Sequence, residues 1–154
     1  MKIVDPLIQN IVDRLKLAEE IYEKAAQSVH NQPMRDQFDT LAKQKTKYIT
    51  EIAEYFNIDR QRYQINLTDR IRVELDKVGI EFDNLVIHRN EMDILSYCIS
   101  REEEVVGAYK KFVDDIGKDQ HLIQMIQAQM NESMRNLFEL KETQKVYDFE
   151  RTDK

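Results

Sequence analysis

The sequence predicts an all-α four-helix bundle, two antiparallel helical hairpins joined by a helical crossover. Three observations predict it. The 154 residues include only 3 Gly and 2 Pro, so tight turns are scarce. The chain is 34% charged, with Leu, Ile, Lys, Glu and Gln recurring, as expected of amphipathic helices with solvated faces. Apolar residues also recur in alternating steps of four and three, the spacing of a bundle seam. The length suits one domain, 1–154, divided into a hairpin at 6–56, a crossover at 57–89 and a hairpin at 90–148.

The first helix opens with Asp5 as N-cap and Pro6 at a position that needs no backbone N–H. Its stripe is Ile8, Val12, Leu15, Glu19, Tyr22, Ala26 and Val29. After Asn31-Gln32 a second helix starts near Pro33, with Met34, Phe38, Leu41, Lys45, Tyr48, Ile52 and Tyr55 on one face. So short a break implies an antiparallel pair. Residues 57–66 lose the period and read as a connection. A third segment follows Asn66 or Thr68, with Ile71, Leu75, Val78, Phe82 and Leu85 in its stripe. Gly79 interrupts it, at a cost of up to ~1 kcal/mol in a helix interior. The fourth begins near Asn90 and ends at Gly117, a residue suited to a left-handed C-cap. It carries Leu95, Cys98, Glu102, Val105, Tyr109, Phe112 and Ile116. The fifth follows Asp119, with Leu122, Ile126, Gln129, Ser133, Leu137 and Leu140, and shades into a charged tail.

Each of the four outer stripes carries one polar residue near its middle: Glu19, Lys45, Glu102 and Gln129. Lys45 follows Glu19 by 26 residues and Gln129 follows Glu102 by 27, so the two hairpins share a plan. A bundle helix normally buries something apolar at such positions. Lys45 can lie against Glu19 and Glu102, in which case the layer fixes helix register.

Composition narrows the function classes. The net charge is -6 with no basic block, so a nucleic-acid partner is not expected. No stretch reaches the ~18 apolar residues of a membrane span, and a charge interrupts the N-terminus before a signal-peptide core could form. The single cysteine, Cys98, fits a reducing compartment. The expectation is a soluble cytoplasmic protein. His30, His88 and His121 lie far apart in sequence, which excludes a His-Glu-x-x-His zinc site. Cys98 sits in an apolar stripe and reads as a small hydrophobe. Of the run Arg101-Glu102-Glu103-Glu104, most is a solvated face. Tyr22, Tyr48 and Tyr109 read as core aromatics whose hydroxyls join the polar layer. Met125, Met130 and Met134 suggest core or dimer packing.

On these residues the chain resembles the ferritin-like superfamily. Its metal-binding members take a Glu from each of two helices and Glu-x-x-His from each of the other two. Laid on this sequence, the pattern meets Glu19 and Glu102, but Lys45 and Tyr48 stand where Glu and His belong. Gln129 and Glu132 stand at the second such pair. Tyr109, seven residues after Glu102, keeps a spacing also seen in ferritins. A closer resemblance, over residues 6 to about 140, is to a bacterial four-helix-bundle branch of unknown function. It rests on Ala18-Glu19-Glu20-Ile21-Tyr22-Glu23-Lys24-Ala25-Ala26, on Phe38-x-x-Leu41-Ala42-x-Gln44-Lys45-x-x-Tyr48, on Leu95-x-x-Cys98-x-x-Arg101-Glu102 and on Ala108-Tyr109. Arg101 stands where that branch usually has Gly.

The resemblance implies a degenerate metal site with no bound cofactor and no catalytic residue. The leading expectation is a non-enzymatic structural or protein-interaction role, stress-related, as a homodimer or with another protein. The alternative is a metal-binding oxidoreductase or iron-handling protein with a rearranged site, drawing on Glu20, Glu103, Glu104 or Glu132. A third reading, a cavity for a small apolar ligand, draws on Ala25, Ala26 and Ala42.

Overall fold

The computed structural model describes residues 6–56, 73–85, 91–114 and 119–152. They form five helices: α1 Pro6–Ser28, α2 Gln32–Tyr55, α3 over 73–85, α4 Glu91–Val113 and α5 Gln120–Thr152. The expectations for Asp5, the 57–66 connection, Ile71, His88, Asn90, Ile116 and Gly117 lie outside the described residues. Among the described residues there is no strand, and no helix is long and apolar enough to cross a membrane.

Local chemistry sets the helix boundaries. Asn31 caps α2, its side-chain oxygen accepting the Met34 N–H at 3.0 Å, with Pro33 just inside. Asp119 precedes α5, its carbonyl accepting the Ile123 N–H at 3.0 Å. The backbone N–H of His30, in the α1–α2 turn, donates to Glu91 at the start of α4. The helix α3 runs unbroken through Gly79. A Cβ there would meet the flexible end of the Lys24 side chain, from α1, at 3.3 Å.

Side-chain contacts give the helix directions. Pairs Arg35–Ala26 and Thr46–Glu19 run α2 antiparallel to α1. Pairs Tyr109–Gln129 and Gln144–Ser96 run α5 antiparallel to α4. Pairs Gln44–Asn136 and Thr143–Gln37 run α5 antiparallel to α2 as well. Hence α2 and α4 point the same way, and the chain between them must travel back along the bundle. Within it, α3 lies on the outer side of α1 and α4, through Arg14–Glu74 at 2.9 Å and the Phe82–Tyr97 ring contact at 6.1 Å.

The core follows the expected stripes closely. Ile8, Val12, Leu15, Tyr22, Met34, Phe38, Leu41, Ile52, Leu95, Cys98, Val105, Tyr109, Phe112, Leu122, Ile126 and Leu140 are all buried. Ala26, Leu75, Leu85 and Leu137 are partly buried beside them. Two features differ from expectation. Tyr55 turns outward, its hydroxyl bonding the Asp119 carboxylate. Helix α1 also buries a second face, with Ile11, Leu17, Ala18, Ile21 and Ala25, because three helices surround it.

A buried ion pair at the candidate functional site

The four mid-stripe polar residues are all buried, none more than 4% exposed. They do not form one cluster. Lys45 Nζ lies 2.7 Å from Glu102 Oε1, with both side chains 0% exposed. The same ammonium donates to Gln44 Oε1 at 2.9 Å, and it sits over the rings of Tyr48 and Tyr22 at 5.6 and 6.0 Å. The other Glu102 oxygen accepts the Tyr22 hydroxyl at 2.9 Å. From α5, Asn136 Nδ2 donates to Gln44 Oε1 at 2.6 Å and approaches Glu102 Oε1 at 3.5 Å. One network thus ties α1, α2, α4 and α5 together.

Glu19 and Gln129 are engaged by other partners. Glu19 is held by Lys16 at 2.9 Å and by the Thr46 hydroxyl at 2.8 Å. The recorded partner of Lys45 is therefore Glu102, where the sequence suggested both carboxylates. Gln129 accepts the Tyr109 hydroxyl at 2.8 Å and donates to the Tyr48 carbonyl at 3.4 Å. Tyr22 and Tyr109 join polar networks as expected. The Tyr48 hydroxyl is buried without a hydrogen-bond partner among the described residues, and its ring serves Lys45 instead.

Burial and charge shift the proton equilibria here. Burial lowers the affinity of Lys45 for its proton, and Glu102 pulls the other way. Burial pushes Tyr22 well above the ordinary phenol value, and the Glu102 charge adds to it. Tyr109 is raised for the same two reasons. Burial also raises the Cys98 thiol far above its usual range, again with Glu102 adding, so it is a poor nucleophile.

The donor set does not fit the di-iron centre of the metal-binding ferritin-like proteins. Such a site needs about four carboxylates and two imidazoles facing one point. At this point stand one carboxylate, one ammonium, two amides and a phenol. An ammonium has three donors and no lone pair to offer a cation. The other carboxylates are dispersed: Glu20 and Glu104 pair with Lys16 and Arg14, Glu103 is exposed, and exposed Glu132 accepts from Gln44 at 3.4 Å. Among the described residues, no three His, Cys, Asp or Glu side chains gather in a way that could hold a metal ion. His30 and His121 are exposed at helix boundaries.

A cleft of about 370 Å³ opens between the start of α2 and the end of α5, lined by Pro33, Met34, Val146 and Tyr147 with four polar residues. Ala25, Ala26 and Ala42 are not in that lining. The sequence reading missed Gln44, Asn136 and Thr46. A polar residue one position from a core lysine is a usable signal for Gln44, but Asn136 sits in the least regular stripe.

Neither the family models, the curated proteins nor the solved structures yield a match to this chain.

Proposed function

We propose that this chain is a ferritin-like bundle whose metal position is taken by an ion pair. It acts without catalysis, through association with itself or with another protein. One observation carries the reading: the Lys45 ammonium, fully buried, lies 2.7 Å from Glu102 at the centre of the four helices. The parallel course of α2 and α4, joined by a chain segment that recrosses the bundle, supports the ferritin-like topology. A buried ion pair seldom stabilises more than well-packed apolar residues would. What it does supply is register, because only one alignment of α2 against α4 joins Lys45 to Glu102. The lone buried thiol suits the cytoplasm, where we place the protein.

The test is metal content after purification without chelator, followed by anaerobic Fe(II) titration and exposure to air. The expected result is sub-stoichiometric metal and no oxidation. One or two tightly held ions per chain would defeat the reading, and Glu19, Glu102 and Glu132 would then be the ligands to mutate.

A further inference from the structure

Several small hydroxyls of this bundle behave alike, and one does not. Ser28, Thr46, Thr50, Ser100 and Thr143 each turn back along their helix and donate to the carbonyl four residues before. Ser133, in α5, is 0% exposed, and its hydroxyl makes no such bond. It lies near the Tyr109 hydroxyl, where it offsets part of what burial does to that phenol, yet the pair is not in hydrogen-bonding geometry. The buried Tyr48 hydroxyl, from α2, also lacks a partner among the described residues. An unbonded hydroxyl in a core is costly, so such groups are normally paired with protein or with ordered water.

The two hydroxyls belong to one level of the α2–α5 seam. Gln129 meets the Tyr48 carbonyl at 3.4 Å, and Asn136 meets Gln44 at 2.6 Å. Ser133 lies between Gln129 and Asn136, so it stands opposite the α2 turn from Gln44 to Tyr48. Helical side chains lean toward the N-terminus of their own helix, which carries Tyr48 into that turn. Its ring lies 5.6 Å from Lys45 Nζ there. The Lys45 ammonium has three donors and two recorded acceptors, Gln44 and Glu102. Two hydroxyls and an ammonium thus share one level with bonding capacity to spare. Water suits such a set, because it accepts and donates and needs two to four polar partners. An anion suits it poorly beside the Glu102 carboxylate.

We propose that Ser133 and Tyr48 hold an internal water between α2 and α5, with Lys45 as its third partner. The water joins α2 to α5 as the ion pair joins α2 to α4. The inference concerns the core alone and does not depend on the association reading.

The sign of a stability change tests it. Tyr48→Phe removes only the hydroxyl. Ser133→Cys keeps shape and helix propensity, but a thiol bonds weakly. With water present, each substitution should raise the unfolding constant in urea about fivefold, the loss of one ordinary hydrogen bond. The double variant should cost less than the product of the two, because both lose the same water. If the hydroxyls are dry, removing either relieves an unpaired polar group. An unfolding constant that falls or stays level in either variant therefore overturns the proposal, and effects that simply multiply overturn the shared site. A high-resolution crystal structure of the parent should show solvent within about 2.7–3.2 Å of both hydroxyl oxygens, absent from the double variant. No density there, or hydroxyls bonded to protein groups, overturns the proposal. An anomalous metal signal at that place would overturn it together with the metal-free reading.

Discussion

Replacing Lys45 by methionine removes the cation and keeps most of the volume. Glu102 is then left with the Tyr22 hydroxyl and a long contact from Asn136, in a site closed to water. Breaking a buried pair in this way costs about 3–5 kcal/mol, because the remaining charge is uncompensated. In a chain of this size each kcal/mol lowers Tm by roughly 2–4 °C, so a loss of about 6–20 °C is expected. Lys45→Glu should be worse, since it places a second carboxylate against the first. The double variant Lys45→Met/Glu102→Gln removes both charges and still offers Tyr22 an acceptor. It should recover to within about 1 kcal/mol of the parent, a coupling that a double-mutant cycle reads directly. Thermal and urea unfolding of the parent, the two single Lys45 variants, Glu102→Gln and the double variant supply the numbers. If Lys45→Met or Lys45→Glu melted within a degree of the parent, the pair would not be the structural centre described here.

Other expectations concern single groups. Cys98 should resist an aromatic disulfide reagent at pH 8 in the folded protein and react fully in denaturant. Tyr97 should titrate near pH 12, held there by burial and by its hydrogen bond to Glu81, and spectrophotometric titration should find it above the exposed tyrosines. Tyr109→Phe leaves the Gln129 amide oxygen without its 2.8 Å donor in the core, at a cost of about 1–3 kcal/mol by chemical denaturation. The Tyr55 hydroxyl holds Asp119 below the ordinary carboxylate value. A lowered acid stabilises the fold above its unfolded pKa and loses that contribution as pH falls through the folded one. Tyr55→Phe should therefore move the Asp119 midpoint upward in an NMR titration.

Much of this architecture is legible in the chain, for identifiable reasons. The stripes of α1, α2 and α4 are strict, and a polar residue inside a strict stripe stands out, so the burial of Glu19, Lys45, Glu102 and Gln129 could be read directly. Partner choice could not. Whether Lys45 meets Glu19 or Glu102 depends on helix rotation, and Lys16, one turn before Glu19, takes that carboxylate locally. The second buried face of α1, with Leu17 and Ile21, was also hidden, because it answers to tertiary packing that the period of one stripe does not show. Tyr55 looked like core by spacing, but it ends its helix and finds Asp119 outside. In α5 the apolar residues split between two faces. Leu140 serves the bundle while Phe138 points away, and period alone does not say which face is inward.

The measurement that bears most directly on the central claim is anomalous diffraction at the iron edge, from crystals soaked anaerobically in Fe(II). The account expects no peak among the four helices and the Lys45 amine close to 2.7 Å from Glu102. A peak bound by Glu102, with Lys45 swung away and Glu19 or Glu132 drawn in, would contradict it.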